Sequence, residues 1–301
     1  MKTRFGFIAA MIFAAFTAGA HAELSILATV PEWGALAQEL GGDKVKVYTA
    51  TTALQDPHHV EARPSLIAKA RGADLVVATG AELEVGWLPL VLQQAGNSKV
   101  QPGTAGYFEA TSAVTLLGKP QRLDRAEGDV HPFGDPHIQT DPRNIAKVAD
   151  ALAARLAQLD AANASFYRDR LKSFTDKWNA AIARWEQQAA PLKGAPVVVQ
   201  HKAFTYLIAW LGLREVAALE PKPGIEPTTS HLSEVLATLN REPAKMVLRA
   251  AYQSDQASQW LAQRTKINVV TMPFTVGGTP GAKDLFGLFD DTVKRLLDGN
   301  K

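Results

Sequence analysis

Along the chain, short apolar runs rich in Val, Ile and Leu alternate with turn signals and with stretches of helical periodicity. Such runs fall at 24–28, 45–48, 75–79, 197–199, 246–248 and 267–271. Strands that alternate with helices in this way predict parallel sheets in an α/β fold. Helix starts are well marked. Pro64-Ser65 opens the helical stretch Leu66-Ile67-Ala68-Lys69-Ala70. Asp141-Pro142 sets a capping Asp before a Pro at the first helical position of a helix predicted to run towards Leu159. The most regular segment is 163–190, where Tyr167, Leu171, Phe174, Trp178, Ile182 and Trp185 follow one another at spacings of 4, 3, 4, 4 and 3. That is the apolar stripe of an amphipathic helix, roughly 40 Å long at 1.5 Å per residue. It separates two halves of unequal size and reads as a rigid spacer between two lobes, with a long surface helix inside one large domain as the alternative. No internal sequence repeat is visible. The expected organisation is an N-terminal α/β lobe over 23–162, a linking helix over 163–190 and a C-terminal α/β lobe over 191–301.

Length agrees with two units, since 301 residues at about 150 per domain make two globular bodies. Cysteine is absent, which excludes disulfide scaffolds, thiolate metal sites, iron–sulfur clusters and cysteine nucleophiles. Only His, Asp and Glu remain as metal ligands. At the N-terminus, Lys2 and Arg4 precede an apolar run over 5–20, and Ala20-His21-Ala22 supplies the small residues a signal peptidase needs. The run is shorter than the roughly 20 residues of a membrane-spanning helix. A signal peptide over 1–22, cleaved before Glu23, is therefore expected, giving a soluble exported protein. Without Lys2 and Arg4 the remaining basic and acidic residues balance at 30 each. Nucleic acid is excluded as a partner on that ground, because its phosphates demand a basic excess. The stretch 118–128 is polar, charged and without periodicity, and reads as a flexible loop.

Six histidines follow the expected cleavage point: His58, His59, His131, His137, His201 and His231. His58 sits in Gln55-Asp56-Pro57-His58-His59 before the helix at Pro64, and His137 in Gly134-Asp135-Pro136-His137 before the helix at Asp141. His201 follows the apolar strand Val197-Val198-Val199-Gln200 and precedes Phe204-Thr205-Tyr206-Leu207-Ile208. Each lies in a connection leading into a helix, and in open α/β sheets such connections gather at the carboxyl edge of the strands, where ligands bind. Three histidines distant in sequence can thus converge between two lobes. Three neutral imidazoles plus a carboxylate or water make a tetrahedral Zn²⁺ site. His231, in Thr228-Thr229-Ser230-His231, is read as an ordinary helix-start residue, and His59 and His131 stay open.

Taken together, the N-terminal leader, Asp56-Pro57-His58 with Arg63-Pro64-Ser65, Asp135-Pro136-His137 with Asp141-Pro142, the strand ending in His201 and the long middle helix carry a resemblance. The chain resembles the periplasmic zinc-binding proteins of ABC transporters, the cluster A-I or cluster 9 solute-binding proteins, over nearly its whole mature length. The resemblance implies two lobes with parallel sheets flanked by helices, joined by one long rigid α-helix, with the metal site in the interlobe cleft. It implies His58, rather than His59, as first ligand, because the family's first ligand lies six residues before the Pro-Ser that opens the next helix. His137 matches the second ligand. The third is His in zinc-binding members and Glu in many manganese-binding ones, and here it is His201, which points to zinc.

At the fourth position the sequence departs from the family. Many members carry an Asp just after the last strand, whereas here the stretch Val269-Val270-Thr271-Met272-Pro273-Phe274-Thr275-Val276-Gly277-Gly278 holds no acid. Asp284 is the nearest candidate, either as ligand or as an ordinary first-turn helix acid; Asp255 and a water molecule are further alternatives. The family's zinc importers often have a loop rich in His and acids before the second ligand. Its counterpart, 118–134, holds Asp124, Glu127 and Asp129 but only His131, kept as an auxiliary or capture residue with His59 beside it. Asp56, Asp135 and Glu226 are the expected orienting carboxylates. The implied function is zinc capture in the periplasm and delivery to an ABC importer permease, without catalysis, by a monomer, with a periplasmic metallochaperone as a further candidate partner. Two alternatives remain: a transporter component for manganese or another divalent metal, and a zinc-dependent hydrolase. Against the hydrolase, no H-E-x-x-H motif occurs and Glu61 has the wrong spacing from His58 and His59. A purely adhesive surface role finds no exposed repeat or anchor in the sequence.

Overall fold

The computed structural model describes residues 23–120 and 131–301. The expected signal peptide, most of the predicted loop at 118–128, and Asp124, Glu127 and Asp129 lie outside the described residues. The N-terminal sheet contains β1 (Leu24–Ala28), β2 (Val45–Thr49), β3 (Leu75–Ala78) and β4 (Tyr107–Glu109) in the order β2-β1-β3-β4. The C-terminal sheet contains β5 (Pro196–Val199), β6 (Arg214–Ala218), β7 (Met246–Ala250) and β8 (Asn268–Met272) in the order β6-β5-β7-β8. All pairings are parallel. The two sheets thus share one strand order although the sequence shows no repeat. Six of the strands coincide with the apolar runs. The two that do not, β4 and β6, are edge strands with exposed or half-buried residues. A central parallel strand is covered on both faces and must be apolar throughout, but an edge strand need not be.

The pleat sorts each central strand between two cores. In β1, Leu27 faces outward to Leu66 and Ala70 of α2 (Pro64–Arg71) and Val91 and Leu92 of α3 (Leu88–Ala95). Its neighbours Ile26 and Ala28 face the interior of the molecule. In β5, Val198 faces outward to α7 (Thr229–Arg241) and α8 (Gln256–Thr265), while Val197 and Val199 face the same interior. That interior is one continuous core shared by both lobes. Trp33 and Leu36 of α1 (Pro31–Gly41), Leu152 of α4 (Pro142–Leu159) and Phe289 of α9 (Leu285–Gly299) all belong to it.

Through this core runs α5 (Ala164–Ala189), 26 residues without a break, which corresponds to the predicted long helix. It buries Tyr167, Phe174, Trp178 and Trp185 of the expected stripe, with Leu171 and Ile182 packed half-buried against the same core. Its two indoles tie it to both sides. Trp178 Nε1 donates to the Pro142 carbonyl at the start of α4 at 2.8 Å, and Trp185 Nε1 donates to Asp290 Oδ1 on α9 at 2.6 Å. Both sheets therefore lean on one helix. Their carboxyl edges, where β1 and β5 sit at the point from which the chain departs to either side, open towards a common cleft.

Candidate metal centre

Two loops of the N-terminal lobe share one local device. In Asp56-Pro57-His58, Asp56 Oδ1 accepts the His58 backbone N–H at 2.9 Å and lies 2.8 Å from His58 Nδ1. In Asp135-Pro136-His137, Asp135 Oδ1 accepts the His137 backbone N–H at 2.8 Å and lies 2.6 Å from His137 Nδ1. An Asp side chain readily bonds backbone two residues on, and the intervening Pro fixes φ, so three consecutive residues lock a ring in place. With Nδ1 facing a carboxylate, Nε2 is the nitrogen left to bind. His58 Nε2 and His137 Nε2 are both buried and have no hydrogen-bond partner. The first loop joins β2 to α2 and is held from below by Trp87 Nε1, which donates to the Pro57 carbonyl at 3.0 Å. The second joins β4 to α4 and is held from the opposite lobe: Tyr206, on α6 (Thr205–Leu211), donates its hydroxyl to the Asp135 carbonyl at 2.7 Å.

His201 arrives differently. It leaves the end of β5, and its Nδ1 lies 2.6 Å from Glu220 Oε2, at the end of the neighbouring β6. The same carboxylate oxygen accepts the Gly224 N–H at 2.8 Å. Glu226, the expected orienting acid, is exposed and is not the partner; Glu220 takes that role because parallel pairing of β5 with β6 carries Glu220 to the same sheet edge. His58, His137 and His201, all buried, offer ligand atoms within 4.8 Å of one another. Two come from the N-terminal lobe and one from the C-terminal lobe, as the connections at the carboxyl edges require.

The electrostatics separate these rings. Burial pulls the His137 imidazole below its ordinary value despite Asp135 beside it, so it stays neutral and ready to donate a lone pair. Burial also pulls on His201, but Glu220 outweighs it and the net shift is upward. Asp56 is buried enough to resist ionisation, yet the His58 ring and backbone N–H hold its carboxyl down at about 2.

Around this trio lie the other predicted residues. Asp284 is not brought into it. The residue stands exposed at the start of α9, and its Oδ1 accepts the Gly287 N–H at 2.7 Å, which makes it the helix N-cap. Asp255 likewise stands at the N-terminus of α8 and is exposed. After β8 the chain turns towards the cleft and presents Phe274, in a left-handed conformation (φ 67°), with its ring 5.7 Å from that of His137. His59 is exposed, its ring 6.3 Å from His58. His131 is closer to the trio: its ring stacks on His58 at 5.4 Å and meets His137 edge-on at 6.1 Å, and its Nε2 is buried without a hydrogen-bond partner. Desolvation, with His137 and His58 next, pushes its imidazole down to about 3. His231 sits at the start of α7, its N–H on Thr228 Oγ1, away from the cluster.

Sequence reasoning singled out neither of two buried acids on the N-terminal side of the cleft. Glu32, in the first turn of α1, accepts a hydrogen bond from the Thr275 hydroxyl of the opposite lobe; burial, against that bond, raises its carboxyl to about 7. Glu84 accepts from the Thr29 hydroxyl and the Thr79 N–H, both at 2.7 Å, and burial raises it as well. The available signal was positional, since Pro31-Glu32 opens the helix directly after β1.

The profile of the family described as zinc-uptake complex component A, periplasmic (ZnuA), matches residues 26–299. The chain belongs to this family. Among relatives, a zinc-binding lipoprotein AdcA of Streptococcus pneumoniae is 25% identical over 248 residues, covering 81% of this chain and 47% of that protein. The chain therefore spans about half the length of that relative. A manganese ABC transporter substrate-binding lipoprotein PsaA, also of Streptococcus pneumoniae, is 22% identical over 279 residues, covering 89% of this chain and 87% of its own. A crystal structure of ZnuA superposes with a TM-score of 0.78 at 23% identity, over 93% of this chain and 100% of that one. A manganese-bound periplasmic metal-binding protein from Candidatus Liberibacter asiaticus gives 0.76 at 18% identity, over 93% of this chain and all of its own. These superpositions establish the two-lobed fold.

Proposed function

We propose that the protein captures Zn²⁺ in the periplasm and hands it to the permease of an ABC importer, without chemistry on a substrate. The observation that carries this reading is the buried trio His58, His137 and His201, whose ligand atoms lie within 4.8 Å of one another and come from both lobes. Three imidazole nitrogens with no carboxylate in the group favour a borderline ion such as zinc over manganese, which prefers oxygen donors. Residues 23–162 and 191–301 act as the lobes, and 163–190 as the helix that limits their relative movement. A continuous core on both sides of α5 argues for small tilts rather than a wide hinge. Five exposed large apolar side chains, Leu54, Val85, Leu117, Phe133 and Ile225, lie on connections that leave the carboxyl edges of the strands. Exposed apolar residues on the connections that also carry the ligands suit contact with a membrane permease. Among the described residues no helix is long and apolar enough to cross a membrane.

The test is metal content by mass spectrometry on untagged protein, followed by competitive titration with Zn²⁺ and Mn²⁺ for the wild type and His201→Ala. One tightly bound zinc per chain, held well above manganese and severely weakened by His201→Ala, is the expected result. Binding indifferent to His201, or preference for manganese, would overturn it. Hydrolysis of generic ester or peptide substrates that vanished in His201→Ala would favour the zinc hydrolase instead.

A further inference from the structure

We propose that His131 is the fourth metal-binding side chain, so that the site is built from four imidazoles and its choice of zinc depends on that residue. This rests on the reading of His58, His137 and His201 as the other three.

The ligand atoms of His58, His137 and His201 lie within 4.8 Å of one another, and the His131 ring stands directly beside that group. Four ligands at about 2.0–2.1 Å from one ion in a tetrahedron bring imidazole centroids to roughly 5 Å of one another. Five pairs among the four histidines have centroid separations from 5.3 to 6.1 Å: His58 to His131, His137 and His201, and His137 to His131 and His201. His131 Nε2 shares the signature of His58 and His137, a buried ring nitrogen with no partner in the protein. A buried polar atom left unpaired costs free energy unless something binds it, and three such nitrogens facing a shared ring cluster specify a cation.

Local backbone fixes His131 in register with the second Asp-Pro-His loop. In His131-Pro132-Phe133-Gly134 the Gly134 N–H donates to the His131 carbonyl at 3.2 Å. This is a β-turn with Pro at its second position and Gly at its fourth, both favoured there. Gly134 has φ of 124°, which a side chain would resist, and a Cβ there would meet the Leu117 carbonyl at 2.7 Å. Directly after the turn, Asp135 N–H donates to the Leu117 carbonyl at 2.8 Å. His131 and His137 therefore sit on one anchored segment.

No other described group fits as well. Phe274 fills the approach from the loop after β8, Asp284 caps α9 and His59 is exposed. Asp56 and Glu220 are engaged with the ring nitrogens they orient, and Asp135, whose Oδ2 is buried without a partner, is held through Oδ1 by both the N–H and the ring of His137.

X-ray absorption at the zinc edge of the full mature chain counts imidazoles, and the Co²⁺ d–d spectrum reports the donor set independently. The wild type should show four imidazoles. His131→Ala and His131→Gln should each show three plus an oxygen donor, with a shifted Co²⁺ spectrum and about 100-fold weaker zinc binding at unchanged thermal stability of the metal-free protein. His131→Asp should narrow the preference of zinc over manganese. Three imidazoles in the wild type, with spectrum and affinity unchanged in both His131 variants, would overturn the proposal and leave zinc capture by the trio standing. A wild type that binds no zinc would overturn both readings.

Discussion

The N-terminal lobe orients its two ligand rings by contacts within three residues, whereas the C-terminal lobe orients His201 by a contact across 19 residues and two strands. Both solutions put a carboxylate on Nδ1, which leaves Nε2 as the nitrogen to bind a cation. They differ in what enforces the geometry. Asp56 and Asp135 hold backbone and ring of the same histidine, so each loop is right or wrong as a unit. Glu220 holds only the ring and is itself held by the Gly224 N–H, so its placement depends on sheet pairing. A local lock survives small shifts of the sheet, and a non-local one transmits them. On the proposed function, a capture protein that must also release its ion gains from having one ligand of the second kind, and His201 would be that ligand.

The largest effect that bears on this difference comes from removing the orienting acids. Loss of such a partner typically weakens metal binding by about 10- to 100-fold. Asp135→Ala should lie near the upper end, because it frees both a buried ring nitrogen and the buried His137 N–H. Glu220→Ala should cost about 10-fold. Asp56→Ala should cost about as little, since the Asp56 side chain is 39% exposed and water can replace it. Zinc competition titrations rank the three. If Glu220→Ala proved the most damaging, local locking would not be what secures the site.

Proton competition sharpens the contrast further. Glu220 raises the His201 value against the pull of burial, while burial lowers that of His137. A ligand imidazole must be neutral, so zinc has to displace the extra proton on His201. Affinity should therefore begin to fall from above the ordinary histidine value of about 6.5 as pH drops. In Glu220→Gln the onset should move to lower pH. For the metal-free protein the sign is opposite. A raised histidine value stabilises the fold fully below the unfolded value, and that contribution is lost as pH rises through the folded one. Zinc titrations and thermal melts across pH 5–8 separate the two. An onset unchanged in Glu220→Gln would assign the proton to another group.

The same division between local and non-local explains what could be read from the sequence. The Asp-Pro-His pair, the Asp141-Pro142 helix start and the strands β1, β2, β3, β5, β7 and β8 are local patterns, and each stands in the structure where its residues placed it. Strands β4, only three residues long, and β6, which opens on the exposed Arg214 and Glu215, escaped because neither carries the apolar run that marks even the edge strands β2 and β8. Glu220 escaped in favour of Glu226 because only the pairing of β5 with β6 reveals it. The repeated strand order of the two sheets left no trace, since topology constrains which positions are apolar but not which apolar residue fills them. Glu84 was hidden for a related reason, and Glu32 offered only its place after β1: little in one dimension distinguishes an acid that will be buried from one that will be solvated.

Asp284 supplies the smallest effect and the cleanest discrimination. As a family-position candidate it would bind the cation; as an N-cap it serves α9, whose first turn otherwise leaves N–H groups unsatisfied. The carboxylate bonded to the Gly287 N–H at 2.7 Å is the second case. Asp284→Ala should then lower stability by about 1 kcal/mol, the usual cost of losing a cap. Zinc affinity should stay where it was. Asp284→Ser or Asp284→Asn, which keep a capping oxygen, should restore most of the stability. Denaturant unfolding of the metal-free protein and zinc titration of the same preparations read the two quantities separately. A large loss of affinity in Asp284→Ala, not rescued by the capping substitutes, would return a carboxylate to the site and place it on the C-terminal lobe, giving that lobe two ligands instead of one.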